Sequence, residues 1–151
     1  MAVSGVDFAA QVDAWCKESE ARLTAVFRQS AQDVSSIAQG YLSGDLVKVQ
    51  TGFLRASVRA SKDEMPPINR GAAPKEGQSY SDNFGQIVAV IATAQLGETI
   101  YVGWTANYAV FVHYGTTKMP PRPWVSLSAE QWPTVVARNV ERAKSLASSQ
   151  P

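Results

Sequence analysis

The sequence predicts an α+β fold: a long N-terminal helix packed on a small, mainly antiparallel sheet, with a C-terminal helix. Apolar residues recur at helical spacing through the first part of the chain, short β-rich runs fill its middle, and an amphipathic stripe returns near its end. No internal repeat and no shift in composition divides it, so residues 1–151 are expected to form a single domain.

The first helix is expected over residues 4–42. Its apolar positions are Phe8, Val12, Trp15/Cys16, Leu23, Val26/Phe27, Val34, Ile37 and Tyr41, with Ser19 and Ser30 at the two missing beats. Ser4 and Asp7 have the spacing of a capping box, and Gly40 or Gly44 is the stop. At about 1.5 Å per residue such a helix is about 50 Å long, more than the diameter of a compact domain of this size. Part of it should therefore pack against another subunit, unless the helix breaks near Ser35 and Ser36.

Residues 51–104 are expected to hold a strand, a long loop and a hairpin. Leu54, Ala56, Val58 and Ala60 point one way while Arg55, Ser57, Arg59 and Ser61 point the other, the period of a half-buried strand. One helical turn capped by Thr51 can precede it. Residues 62–83 carry Pro66, Pro67, Gly71, Pro74 and Gly77 and few large apolar groups. Such a loop is expected to stay mobile until a partner orders it. Gln86–Thr93 and Thr99–Trp104 read as the two strands of an antiparallel hairpin whose loop contains Gly97.

Residues 107–124 follow as a Gly/Pro motif segment. Asn107–Tyr114 suits a short helix or a strand, and Gly115 ends it. Met119–Pro123 must be extended, because each proline fixes its own φ and moves its predecessor out of the helical region. The C-terminal helix, about residues 124–147, aligns Trp132, Val136, Val140, Ala143 and Ala147. Pro133 belongs in a first turn, so a separate turn over Trp124–Gln131 can precede it, and the tail from Ser148 to Pro151 should fray.

The balance of charge and the short supply of reactive groups restrict function. With 14 basic and 13 acidic residues the net charge is +1, too even for a protein whose main ligand is a nucleic-acid backbone. Cys16 is the only cysteine, which rules out an internal disulfide and suits folding in the cytoplasm. Neither a secretory signal nor an apolar run long enough to span a bilayer is present, so no membrane partner is expected. On the apolar stripe of the first helix, Cys16 reads as a buried, inert thiol. His113 is the only histidine, leaving no ligand spacing for a metal and no triad. Glu18/Glu20 and Asp63/Glu64 read as solvated surface, and the glycines form no phosphate loop. No catalytic, cofactor-binding or metal-binding residue is assigned, and the chain is expected not to be an enzyme.

Charge is unevenly placed along the chain. The first helix leans acidic through Asp7, Asp13, Glu18, Glu20 and Asp33, and the last leans basic through Arg138, Arg142 and Lys144. Two readings fit: head-to-tail pairing between subunits, or two solvated faces with no partner.

Two stretches carry a family signal. One is Thr51, Gly52, Phe53, Leu54, Arg55, Ala56 and Ser57. The other is Tyr108, Ala109, Val110, Phe111, Val112, His113, Tyr114, Gly115 and Thr116, continued by Lys118, Met119, Pro120, Pro121, Arg122, Pro123 and Trp124. In this order, after a long helix, they resemble the tail-completion or head–tail joining (neck) family of tailed bacteriophages. In that family a T-G-x-L-R-x-S segment precedes the sheet. A Y-A-x-x-V-E-aromatic-G-T segment follows it and runs into a proline-rich, aromatic-terminated R-P segment. The resemblance covers roughly residues 51–124, and His113 departs from it where the family usually has an acid.

Gly52 and Gly115 sit where the chain must turn sharply. Leu54, Tyr108 and Tyr114 read as core or interface anchors, and Arg122 as a donor on a rigid proline frame. The resemblance implies a small structural subunit of the virion, made in host cytoplasm, typically six to a ring. Its implied partners are copies of itself, head-side connector or stopper proteins, and the tail tube protein. DNA would pass through the channel without sequence-specific binding. Acting as connector or as tail terminator, it would need no cofactor. The alternatives are another virion or assembly protein of the same small fold, and a small hydrolase.

Overall fold

The computed structural model describes residues 5–49 and 51–148. The expected capping serine, Ser4, and the tail beyond Ser148 lie outside them. The α+β architecture is as the sequence predicts. Helix α1 (Gly5–Gly40) runs unbroken through Ser35, whose hydroxyl donates to the Ala31 carbonyl at 2.8 Å and so adds no competing turn. A wide π-helical turn, Tyr41–Asp45, ends it, with Gly44 leaving the helical region at φ 119°. Then come α2 (Phe53–Ala56), β1 (Val58–Ser61), α3 (Phe84–Thr93), β2 (Tyr101–Trp104), α4 (Ala109–Tyr114), α5 (Trp124–Ala129) and α6 (Trp132–Ser148).

The sheet has two antiparallel strands, with Val58 opposite Trp104 and Ser61 opposite Tyr101. Alternation holds within β1, where Val58 and Ala60 are buried and Arg59 is exposed. The residues before it form the helical turn α2, which buries Leu54, and Thr51 Oγ1 accepts a hydrogen bond from Phe53 N at 3.2 Å. The core lies between the C-terminal half of α1, the sheet, α3, α4 and α5, and includes Leu42, Leu54, Val58, Ile87, Ile91 and Trp124.

The expected hairpin is not formed, because its first strand, Gln86–Thr93, lies within helix α3. The run is β-branched and apolar, which suits a buried strand or a buried helix equally. Tertiary packing decides: Ile87 and Ile91, one helical turn apart, both reach the core, while Ala89 between them is exposed. Gln86 then completes the sheet from the side. Its amide oxygen accepts from Ala60 N at 2.9 Å and its amide nitrogen donates to Ala60 O at 3.0 Å. A side-chain amide thus occupies the edge of β1 where a third strand would pair.

The loop of residues 62–83 has no regular structure but is tied at several points. Asn69 N donates to Thr105 O at 2.9 Å, Asn107 N to Ala72 O at 3.0 Å, and Tyr80 N to Thr51 O at 2.8 Å. These backbone bonds tie the loop to its own domain, which a composition poor in apolar side chains did not lead one to expect.

Gln39, buried on α1, joins three elements. Its amide nitrogen donates to Arg55 O at 2.9 Å and Asp82 Oδ1 at 3.0 Å, and its oxygen accepts from Trp104 Nε1 at 2.8 Å. Ser30, a missing beat of the stripe, is also buried, and accepts from Asn139 Nδ2 of α6 at 3.1 Å. Asn139 donates to Asp33 Oδ2 at 3.0 Å as well, and Arg138 lies 3.7 Å from the same carboxylate. The opposite charges of the first and last helices thus meet in part within one chain. The buried line of α6 runs through Val135 and Asn139, one position before the expected Val136 and Val140, and leaves Trp132 exposed.

Candidate functional site

The two motif stretches, far apart in sequence, line one open cleft of about 700 Å³. Thr51, Gly52, Leu54 and Arg55 line it from the first stretch, and Tyr108 and Arg122 from the second. Local geometry at two glycines makes this possible. Gly52 starts α2 at φ 78°, and a Cβ there would lie 2.6 Å from the Tyr80 carbonyl oxygen, so the loop closes over the turn only because no side chain is present. Gly115 ends α4 at φ 80°, and a Cβ would meet Pro121 N at 2.7 Å and Met119 O at 3.0 Å. The chain folds back from there, with Thr116 N donating to Met119 O at 2.8 Å and Arg122 N to Val112 O at 2.9 Å. The proline segment is thereby stapled to the end of α4.

The cleft's apolar lining includes Leu42, Val47, Phe53, Leu54, Phe111 and Val112. Its charged lining residues are Lys48, Arg55, Lys118 and Arg122, with no carboxylate among them. Arg55 is compensated by Asp82, 2.9 Å away. Lys48, Lys118 and Arg122 form no ion pair among the described residues. Burial pushes the Tyr108 phenol above its ordinary value of 10.0, against the opposing effect of its hydrogen bond with the Leu54 backbone. Phe53 packs edge-on against Tyr80 at 4.9 Å and lies 6.2 Å from the ring of Tyr108.

The remaining motif residues do not line this cleft. Trp124, on α5, is fully buried against Trp104 and His113, with ring centroids 5.7 and 5.4 Å away. Ala109 is buried, and Pro123 is the cap residue of α5. Thr116 and Pro121 are exposed on the turn after α4. Tyr114, at the last position of the six-residue helix α4, is 73% exposed, so of the three expected anchors it is not a core residue. Leu54 is buried, and Tyr108 packs at the core's edge.

His113 lies 3.3 Å, through Nε2, from Ser126 Oγ, and Nδ1 is buried with no protein partner among the described residues. Burial lowers its pKa from the ordinary 6.5. Its ring packs against those of Tyr114 and Trp124. Arg122 and His113 face different surfaces, the first the large cleft and the second a shallower groove with Met65 and Ile68.

Cys16 is exposed, contrary to the expected burial, because no other described element covers the first half of α1. From Ala9 to Leu23 every side chain except that of Ser19 is exposed. Among the described residues no cluster of three or more His, Cys, Asp and Glu could hold a metal ion, and no helix is long and apolar enough to cross a membrane. No protein-family model, no curated protein and no solved structure matches the chain.

Proposed function

We propose that this chain is a structural protein of a tailed-bacteriophage particle, a neck subunit that forms a ring with copies of itself and joins the head-side connector to the tail tube. The reading is supported above all by the convergence of the two family-like segments, 51–57 and 108–124, on one cleft lined by apolar and cationic side chains. Two segments so distant in sequence that share one surface suit a common task, and an open apolar cleft suits the binding of another protein chain. The uncovered stripe of α1 supports the same reading. Val12, Trp15 and Leu23 are 43%, 65% and 56% exposed, an apolar face that an assembly would cover.

The work of such a subunit is mechanical. Rings close when one face of each copy meets a different face of the next. The near-neutral charge lets DNA pass through the channel without being gripped. Deleting the gene from a phage that carries it tests this. Micrographs of the lysate should show filled or leaking heads beside unattached tails. Normal complete particles, or a lysate without heads, would refute the assignment, and abnormally long tails would favour a terminator over a connector.

A further inference from the structure

The small sheet closes one of its edges and leaves the other open. On the β1 side, Gln86 binds both main-chain groups of Ala60. Ala60 stands opposite Val102, and Thr105 N donates to Ser57 O at 3.1 Å, which sets the alternation of the ladder. Arg59 and Gly103 therefore bond to each other, while the main-chain groups of Val102 and Trp104 point away from β1. No strand lies on that side, and among the described residues no backbone hydrogen bond reaches Val102 or Trp104 from outside the sheet. The strand Tyr101–Trp104 carries neither a charge nor a proline, the usual devices that close an edge to pairing. We propose that this edge of β2 is a strand-addition site, where an extended, uncharged, apolar segment of a partner protein pairs as the third strand of the sheet.

Two grooves adjoin the edge and share Val102, Trp104 and Val125. One, about 400 Å³, is lined by α1 through Ala31 and Val34 and by Ile100. The other, about 350 Å³, is lined by Met65, Ile68, Gly103 and Val110. A Cβ at Gly103 would lie 3.2 Å from Met65 Sδ, so the second groove reaches the face of β2 opposite to the side chains of Val102 and Trp104. Met65, Val110, Tyr114, Val125 and Trp132, all exposed, gather around these two grooves.

This geometry selects the occupant. A helix uses its main-chain groups internally and cannot pair with Val102 and Trp104. An extended chain offers N–H and C=O groups along one side and sends successive side chains to opposite faces, here into the two grooves. Charge is disfavoured: the Glu98 carboxylate of the first groove is 3.5 Å from Lys62 Nζ, and the second is lined by no Asp, Glu, Lys or Arg. A charged side chain there would lose water without gaining a counterion. The extended segment Met119–Pro123 of a second copy does not meet the requirement, because three of its residues are prolines without an N–H.

Hydrogen exchange followed by NMR on the full-length protein reads the edge directly. In the free protein the Val102 and Trp104 amides should exchange much faster than those of Tyr101 and Gly103, which face β1. The probes are capped octapeptides of valine, threonine and tyrosine. Each is also made with N-methyl groups on two adjacent central residues, which keeps the side chains and blocks pairing through either side. At about a hundred times Kd, a plain peptide should slow both outward amides about a hundredfold and leave Tyr101 and Gly103 unchanged, while its methylated form should not. Val125→Asp, at an exposed position common to both grooves, should weaken plain-peptide binding about tenfold or more with the circular dichroism spectrum unchanged. Equal binding of plain and methylated peptides would mean that only the apolar grooves are used, and overturns strand addition. So does a failure of every peptide to protect the two amides. Outward amides that are already slow in a dimeric free protein, and speed up on dilution, would show a second copy on this edge and overturn the proposed partner.

Discussion

Two glycines shape the backbone beside the cleft, and one histidine outside it carries a pH-dependent contribution to stability. At Gly52 and Gly115 the backbone is left-handed, and a methyl group would collide with the backbone of Tyr80 or Pro121. Neither turn can relax freely, because the colliding atoms belong to main chain held in place by neighbouring hydrogen bonds. His113 is held below its ordinary value of 6.5 by burial, so the folded state favours the neutral ring. The sign follows from linkage. With the folded value below the unfolded one, its stabilising contribution is complete above about pH 6.5 and is lost as pH falls from there through the lowered folded value. Melting temperature should therefore drop more between about pH 7.5 and about pH 5.5 in the natural protein than in His113→Gln. Equal drops would show that His113 carries none of the pH dependence. The motif made both glycines legible in the sequence. The orientation of His113 was not legible, because it depends on where Trp124 and Ser126, on a later helix, return to it.

Among elements, α3 shows how tertiary context selects between two structures that local pattern allows. A run of β-branched and small apolar residues becomes helix because Ile87 and Ile91 then share a face, and because Gln86 can reach the backbone of β1. Each Ala60 backbone group left unpaired in a buried position costs about 1–3 kcal/mol. Gln86→Ala leaves both groups without this partner, so it should destabilise the fold by about 2–6 kcal/mol and speed hydrogen exchange at the Ala60 amide. An unchanged exchange rate at Ala60 would show that the side-chain clamp is not what protects this edge. The long helix, by contrast, was legible in the sequence, since its stripe and its glycine stop are local features. Its buried polar positions were not. Ser30 and Gln39 look like gaps or surface in a periodic pattern, and only their partners, Asn139 on α6 and Trp104 on β2, explain their burial.

Across the whole molecule, the proposed assembly predicts that stability and self-association depend on different residues. Leu54 belongs to the core cluster, so Leu54→Ala should cost roughly 2–5 kcal/mol of folding stability. Arg122 lines the cleft and forms no ion pair among the described residues, so Arg122→Ala should change stability by no more than about 0.5 kcal/mol and weaken self-association. Thermal melts beside native mass measurements separate the two effects. A melt shifted as far by the arginine change as by the leucine change would mean that Arg122 is structural.

The sequence by itself determined the α+β class, the presence of a long first helix, the alternation within β1 and the two turn glycines. All of these follow from periodicity or from backbone sterics acting over a few residues. Tertiary structure decided that residues 84–93 are helix, that β1 is edged by a glutamine, that the loop of residues 62–83 is tied down, and that the two motif stretches share a cleft. The physical reason is common to these four. Each depends on partners brought together across long stretches of chain, and a buried backbone or amide group takes whichever partner the folded packing supplies.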